Sequence, residues 1–317
     1  MNCTKCPTST RAVIGLPRHN AAFCKACFNT FVHEQVARAI KSFKMFTPED
    51  RILVAVSGGK DSLALWHILL ALGYHVDALY VNLGIGSYSE ESHRKVQHYA
   101  ESVAAARGGK LLVHVVEQEA GAGIRELATI LHRPTCSTCG TIKRYQFNRA
   151  AVEQEYDVMA TGHNLDDEAA RLLGNVLHWQ DEYLEKQSPT LPASVEGFAK
   201  KVKPLCRLSE REIAAYAVVN RIDYIVEECP MAKGSKMILY KEVLNRLETE
   251  SPGTKQRFYW GFLDKQTKPA PTTESMAEKD QRTLMPCESC GQPTTAGTCS
   301  YCKMMAKAKT ATAHPRA

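Results

Sequence analysis

An apolar run that ends in a glycine turn and continues as a helix constrains this chain more than any other feature. Residues 51–56 are apolar and β-prone, and apolar residues recur at helical spacing between residues 61 and 72. Between the two runs stand Ser57, Gly58, Gly59, Lys60, Asp61 and Ser62. Glycines at a helix N-terminus let a ligand approach free backbone N–H groups and the positive end of the helix dipole. The segment therefore predicts a phosphate-binding loop, although not a Walker A loop, which has four residues between its first glycine and its Gly-Lys pair.

Strand-like and helix-like segments alternate along the chain from residue 51 to about residue 226. The predicted strands are 51–56, 75–83, 110–116, 157–161 and 222–226, and the predicted helices are 61–72, 88–107, 123–131, 141–156, 165–179 and 209–220. Such alternation predicts an α/β fold, a doubly wound parallel sheet with helices on both faces. Ligands of these folds bind beyond the carboxyl ends of the strands, which is where the phosphate loop lies.

Composition narrows the class of protein. The chain has 317 residues and a net charge of +6, a mild basic bias that is compatible with RNA binding. It has no apolar run of about 18 residues and no hydrophobic signal core, so we expect a cytoplasmic protein without a membrane span. In a reducing compartment, the 12 cysteines favour metal binding over disulfides.

Two groups of four cysteines lie near the ends of the chain. Each group consists of two Cys-x2-Cys pairs, with seventeen residues between the pairs in the first group and eight in the second. Four thiolates at these spacings are typical of a closed tetrahedral zinc site, which folds segments too short to bury a core. We therefore expect two Zn²⁺ sites, one held by Cys3, Cys6, Cys24 and Cys27 and one held by Cys287, Cys290, Cys299 and Cys302.

The pattern divides the chain into five parts. The expected parts are an N-terminal zinc finger (1–30), a catalytic domain (31–235), two C-terminal helices (236–266), a linker (267–285) and a zinc ribbon with a basic tail (286–317). The linker prediction depends on prolines and threonines with little apolar content.

A third Cys-x2-Cys pair, Cys136 and Cys139, has no second pair nearby. It precedes the predicted helix 141–156, and thiols at a helix N-terminus have lowered pKa values, which makes them nucleophilic and ready to bind metals. Its partner in sequence is Cys229 or Cys206. Three thiolates could hold an iron–sulfur cluster with one open iron, or form a redox pair with a third thiol. Cys206 follows Val202 in a predicted strand, where a free cysteine packs as a small apolar residue.

Polar residues cluster at two further helix starts. Lys143 and Arg144 follow the third cysteine pair, where either could stabilise charge on a phosphoryl group. Gly162 and His163 stand at a strand-to-helix junction, and the acids Asp166, Asp167 and Glu168 follow them. Acids in a first helical turn complement the dipole, but here they share a sheet edge with the phosphate loop. We therefore expect at least one of them to contact the phosphate ligand or Mg²⁺.

The motifs VSGGKDSLALW, NLGIGSYSE, CSTCGTIKRY, ATGHNLDDEAA and EECPMAKGSK occur in this order between the two four-cysteine groups. The whole string resembles the PP-loop ATP pyrophosphatases that thiolate transfer RNA, the 2-thiouridine synthetases of the TtuA type and their TtcA-like relatives. Zinc units at both ends favour the 2-thiouridine branch. Where some relatives have a histidine as the fourth N-terminal ligand, this chain has Cys27.

The resemblance implies a set of sites. Ser57, Gly58, Gly59, Lys60, Asp61 and Ser62 would grip the pyrophosphate end of ATP, with Gly162, His163, Asp166 and Asp167 completing the nucleotide site. Lys143 and Asp167 would lie in the catalytic pocket with Ser57 and Asp61. Cys136, Cys139 and Cys229 would hold a [4Fe–4S] cluster, and Cys136 and Cys139 would also be catalytic. It also implies a homodimer and a sulfur-carrier protein with a ubiquitin-like thiocarboxylate.

The implied reaction is ATP-dependent 2-thiolation of a tRNA uridine, in which the C2 carbonyl is adenylated and its oxygen is replaced by sulfur. We expect the T-loop uridine as the target, with the wobble uridine as the alternative. Two other interpretations stay open from sequence alone. One is a PP-loop amidotransferase or ligase without sulfur chemistry, and the other is a non-catalytic zinc-finger RNA-binding protein.

Overall fold

The computed structural model describes residues 1–7, 9–194, 197–231, 236–267, 285–291, 293–294, 296–299, 302–303 and 306. Most of the predicted linker, the end of the basic tail and residues 232–235 of the last sequence motif lie outside these residues. The chain forms two compact units, Met1–Leu263 and Asp264–Ala317.

A six-stranded sheet organises the first unit. Its strands follow the spatial order β5-β4-β3-β6-β8-β7, and their bounds are β3 Arg51–Val56, β4 His75–Asn82, β5 Leu111–Val115, β6 Val158–Thr161, β7 Thr190–Leu191 and β8 Lys200–Val202. Every pairing between neighbours is parallel except that of β7 with β8. The predicted doubly wound parallel sheet is therefore confirmed, with one short antiparallel strand at its edge.

Helices cover both faces of this sheet. Those of the first unit are α1 Lys25–Ser42, α2 Lys60–Ala71, α3 Gly86–Tyr99, α4 Val116–Ala120, α5 Ile124–Ile130, α6 Thr135–Glu153, α7 Leu165–Leu177, α8 Asp181–Glu185, α9 Glu210–Val219 and α10 Lys236–Glu250, and α11 Thr254–Thr267 runs past its end. No helix in the described part of the chain is both long enough and apolar enough to cross a membrane.

The central strand β3 serves two separate cores. Ile52 and Val54 pack in a large core with α2, which contributes the fully buried Trp66. Leu53 points to the opposite face and joins a smaller core with α5 and α6. Successive side chains of a strand point to opposite faces, so β3 is buried on both sides, as its unbroken apolar sequence predicts.

The N-terminal residues form a small unit on the large core. A hairpin of β1 (Ile14–Leu16) and β2 (Ala21–Phe23) leads into α1. Arg18 joins the hairpin to the sheet domain, because its Nη2 atom lies 2.5 Å from Glu212 Oε2 and donates to the carbonyl oxygen of Arg207. Both charged side chains of this ion pair are buried, so the hairpin is anchored by a charge-assisted bond as well as by apolar contact.

Three local structures predicted from the sequence were wrong. Helix α6 begins at Thr135 and not at 141, because Pro134 fixes its N-cap and the helix runs through Gly140. Cys136 and Cys139 therefore lie in its first turns, not before it. Residues 222–226 form no strand, since the segment crosses beneath the phosphate loop, where Ile225 N–H donates to Gly58 O. Cys206 lies in a 3-10 turn, Pro204–Arg207, that follows β8.

The second unit is described in part. Its described residues include a two-stranded antiparallel pairing of β9 (Met285–Pro286) with β10 (Pro293–Thr294). The predicted pair of C-terminal helices corresponds to α10 and α11, which are separated at residues 251–253.

Candidate active site and metal centres

The phosphate loop connects β3 to α2 with its shape already formed. Gly58 has a φ of +79°, and a Cβ atom there would lie 2.8 Å from the carbonyl oxygen of Ser92, so this position requires glycine. The N–H of Ser57 donates to Ser62 Oγ over 3.1 Å, and that hydroxyl donates to Gly59 O. The loop therefore wraps around the N-terminus of α2, an arrangement that suits a phosphate group.

Lys60 and Asp61 belong to a charged network beside the loop. Lys60 Nζ lies 3.1 Å from Asp61 Oδ2 and 2.7 Å from Oε1 of Glu210, the first residue of α9. Asn164 Nδ2 donates to Asp61 Oδ1 over 3.0 Å. Burial raises the pKa of Asp61, and the carboxylates of Asp167 and Glu210 add to this effect while Lys60 opposes it. A cation at this position would stabilise the group of carboxylates.

The loop after β6 packs against the phosphate loop. A Cβ atom on Gly162 would lie 2.9 Å from the backbone nitrogen of Ser62, so glycine permits this close approach. His163 Nδ1 is 2.8 Å from Thr161 Oγ1. Burial lowers the pKa of His163 to about 3, so its ring is neutral near pH 7. The structure thus brings both predicted loops to the same edge of the sheet.

The three acids that begin α7 take different positions. Asp167 forms a capping box with Asn164 and lines the cavity beside the phosphate loop. Asp166 and Glu168 are buried and do not line that cavity. Each acid pairs with a different lysine: Asp166 with Lys255 (2.5 Å), Asp167 with Lys241 (2.6 Å) and Glu168 with Lys203 (2.7 Å).

The cavity has a volume of about 490 Å³ and joins the phosphate loop to the cysteine-bearing helix α6. Lys143 and Arg144 line it from α6, as the sequence anticipated. Arg171 of α7 and Lys201 of β8 line it as well, and sequence reasoning missed them. No motif in the sequence marks either residue.

The third cysteine pair faces Cys229 across this region. Cys136 is exposed, and its thiol donates to the carbonyl oxygen of Met231 over 3.0 Å. Cys139 and Cys229 are half-buried against the smaller core. Burial raises the pKa of Cys139, Lys143 opposes this, and the thiolates of Cys229 and Cys136 raise it further. Cys139, Cys229 and Met231 thus share the smaller core, and Cys136 contacts it through Met231.

The spacing of this trio differs from that of the terminal cysteines. Among the described residues, the groups whose ligand atoms all lie within 4.8 Å of one another are the two terminal sets of four cysteines. A single zinc ion requires such a tight set. The trio is not among these sets, so it lacks the close spacing of a site for a single ion. Cys206 is fully buried, and its burial raises its pKa to about 12.

Both terminal sets have the donors of a closed zinc site. Cys6 Sγ lies 3.7 Å from Cys24 Sγ in the first set, and Cys290 Sγ lies 3.7 Å from Cys299 Sγ in the second. Backbone hydrogen bonds, above all from Cys24, lower the pKa of Cys3 to about 6. Hydrogen bonds to sulfur favour the thiolate, which is the form that binds metal.

Comparison with known families agrees with this geometry. The model of the PP-loop domain matches residues 31–233, and the model of the N-terminal LIM domain of 2-thiouridine synthetase TtuA matches residues 2–29. Among solved structures, the U34-tRNA thiolase NcsA from Methanococcus maripaludis with its [4Fe-4S] cluster superposes with a TM-score of 0.72. It is 25% identical in sequence, and the match covers 85% of this chain and 89% of that one.

Full-length relatives are more similar in sequence. The tRNA-5-methyluridine(54) 2-sulfurtransferase of Thermotoga maritima is 43% identical over 96% of this chain and 96% of the relative. The enzyme of the same name from Thermus thermophilus is 44% identical over 96% of this chain and 91% of the relative. With identities this high over almost the whole length, the chain belongs to the TtuA-type tRNA 2-sulfurtransferases, a family of PP-loop enzymes.

Proposed function

We propose that this protein is an ATP-dependent tRNA sulfurtransferase that adenylates the C2 carbonyl oxygen of the T-loop uridine and replaces that oxygen with sulfur. The observation that carries the proposal is the shared cavity, which has the phosphate loop on one wall and Gly140 of the cysteine-bearing helix on another. A base in this cavity would meet an activating phosphate and a sulfur source without leaving the site. The names of the most similar relatives support uridine 54 as the target.

The phosphate loop would hold the β- and γ-phosphates of ATP. Ser57 and Ser62 offer hydroxyl groups, and the N-terminus of α2 offers backbone N–H groups. Asp61 and Asp167 present carboxylates to the same cavity, where they would hold Mg²⁺, which would offset the negative charge of the phosphates. Lys241 lies 2.6 Å from Asp167 in the free protein, so Mg²⁺ binding would release this lysine from its ion pair.

The reaction takes two displacements. The uridine O2 attacks the α-phosphorus, a P–O bond to the β-phosphate breaks, and pyrophosphate leaves. A sulfur nucleophile then adds at C2, and the C2–O bond breaks as AMP departs with the original oxygen. The loop and Lys60 stabilise charge on the leaving pyrophosphate, and Lys143 stabilises charge at the α-phosphoryl group.

The thiol trio fits the cluster that the resemblance implies. Three cysteines from a helix and a loop would supply three ligands to a [4Fe–4S] cluster, whose chemistry would be to hold the sulfur that is transferred. Lys143 follows Cys139 by one turn of α6 and lines the cavity. Its ammonium group would attract an anionic sulfur donor toward the base.

The terminal cysteine sets would each hold one Zn²⁺ for structure and for docking of the RNA, because four thiolates leave the ion no open position. The proposal also includes a homodimer and a cytoplasmic setting. The sulfur donor would be a carrier protein with a ubiquitin-like thiocarboxylate.

The deciding experiment incubates the reconstituted protein with unmodified tRNA, ATP, Mg²⁺ and sulfide under anaerobic conditions. Nucleoside mass spectrometry should find 2-thiouridine or its 5-methyl form only when ATP is present. A tRNA with cytidine at position 54 should stay unmodified, whereas cytidine at position 34 should have no effect. The opposite pattern would assign the wobble uridine, and pyrophosphate release without any sulfur in the product would favour an amidotransferase or a ligase.

A further inference from the structure

Four basic side chains face the cavity that contains the phosphate loop. Lys143 and Arg144 come from α6, Arg171 from α7 and Lys201 from β8. In the described part of the chain, no carboxylate oxygen lies within 4.0 Å of any of these four cations. Two other lysines in this region do have acidic partners, because Lys203 pairs with Glu168 and Lys241 pairs with Asp167.

These cations lie at different depths. Arg144 and Arg171 are exposed, whereas Lys201 is half-buried. Burial lowers the pKa of Lys201 to about 8, and the positive charges of Lys203, Arg171 and Arg144 add to this effect. Like charges that gather around a partly desolvated lysine repel one another in the free protein. An anion bound among them would relieve this repulsion.

We propose that Arg171 and Lys201 form a second anion site, which binds a backbone phosphate of the tRNA next to the target uridine. This inference rests on the proposed function. ATP is already provided for by the phosphate loop, and Lys143 and Arg144 both lie on the cysteine-bearing helix. The wall formed by α7 and β8 is the remaining basic surface of the cavity.

The geometry of a base-modifying site supports this assignment. A nucleotide that leaves the stacked RNA to reach a pocket brings its own flanking phosphates to the pocket mouth. Arginine and lysine contact such phosphates, and these contacts fix the position of the nucleic acid without reading its sequence. An exposed Arg171 near a deeper Lys201 matches a chain that crosses the mouth while its base enters the cavity.

The test measures tRNA binding and kinetics for Arg171→Gln, Lys201→Gln and the double variant. At about 0.1 M salt, each single change should raise the Kd and the KM for tRNA roughly tenfold, while the KM for ATP stays constant. The plot of log Kd against log salt should become less steep by about 1 for each phosphate that the variant no longer binds. Lys201→Arg keeps the charge and should restore most of the affinity.

The matched control is Lys110→Gln. Lys110 is exposed and precedes β5, which lies at the opposite edge of the sheet from β8 and β7. The Lys110→Gln substitution changes the net charge of the protein by the same amount as Arg171→Gln or Lys201→Gln. It should leave the Kd for tRNA and the salt dependence of that Kd unchanged. An equal loss of affinity in this control would overturn the site, because binding would then follow overall charge.

Two other results would also overturn the inference. A higher KM for ATP with unchanged tRNA affinity would mean that these cations bind nucleotide phosphate. A lower kcat with unchanged tRNA affinity, not rescued by Lys201→Arg, would mean that the lysine acts in the chemical step. Binding is measured independently of turnover, so a wild-type protein that binds tRNA without thiolating it would refute the proposed function and still test this site.

Discussion

Loss of the buried cation Lys255 should destabilise this protein strongly. Lys255 Nζ lies 2.5 Å from Asp166 Oδ1, and only 6% and 4% of the two side chains are exposed. Lys255→Met would leave the Asp166 carboxylate buried without its counterion. Removing one partner of a buried pair costs about 3–5 kcal/mol. Asp166 would still accept the N–H of Glu210 over 2.9 Å, so we expect the lower end, about 3 kcal/mol.

Thermal unfolding followed by circular dichroism on zinc-loaded protein measures this loss. A change of about 3 kcal/mol should lower the melting temperature by roughly 6–12 °C for a domain of this size. The matched control is Lys265→Met near the end of the same helix, where the lysine is exposed and the change should stay within about 0.5 kcal/mol.

The double variant Asp166→Asn with Lys255→Met separates charge from packing. It leaves no buried charge without a counterion, so it should be more stable than Lys255→Met alone. The reasoning fails if Lys255→Met melts within a degree or two of the wild type. It also fails if the double variant is the less stable of the two, since the cost would then lie in lost packing.

Three further predictions concern the reaction and its metals. Asp61→Ala should abolish thiolation and leave the fold intact, because its carboxylate faces the cavity and not a core; normal turnover would remove the loop from the mechanism. Elemental analysis after mild chelation should find about two zinc ions per chain, and about one or none would show that a terminal set is not a four-thiolate site. Cys229→Ala should lose both the visible cluster absorption and thiolation, whereas Cys206→Ala should keep both; the reverse pattern would identify Cys206 as the third ligand.

The sequence predicts the position of the phosphate loop well, because the residues that form this loop are adjacent in the chain. A strand, a glycine turn and a helix follow one another without interruption, so the phosphate loop and the N-terminus of α2 are set by neighbouring residues. The second loop, at Gly162 and His163, is also local to one strand and one helix. Both loops meet because parallel strands end at one edge.

The other half of the site depends on distant contacts. Glu210 and Lys241 reach Lys60 and Asp167 from α9 and α10, elements far along the chain, and no spacing pattern marks them. Lys201 stands in β8, a strand of three residues between β6 and β7 that is too short for a periodicity argument. The contribution of such residues to the site can be recognised only when the order of the strands in the sheet is known.

The wrong strand at 222–226 has a similar cause. Ile222 and Val226 fit an alternating pattern, but alternation reports extended backbone and not the presence of a pairing partner. In the structure this segment gives a backbone hydrogen bond to Gly58 O instead of to a neighbouring strand. The sequence pattern predicts the start of helix α6 too late, at residue 141. Gly140 resembles a helix boundary, but in the structure it lies within the helix.

The two faces of β3 have an evolutionary consequence. Ile52 and Val54 pack with α2, whose N-terminus follows the phosphate loop, whereas Leu53 packs in the core that carries Cys139 and Cys229. In the proposed function, activation of the base and delivery of the nucleophile would therefore depend on opposite layers that share one strand. A lineage could rebuild the second layer, and so exchange sulfur for another nucleophile, while keeping the first layer residue for residue. Because successive side chains of one strand point to opposite faces, the two halves of the proposed chemistry could change separately in evolution.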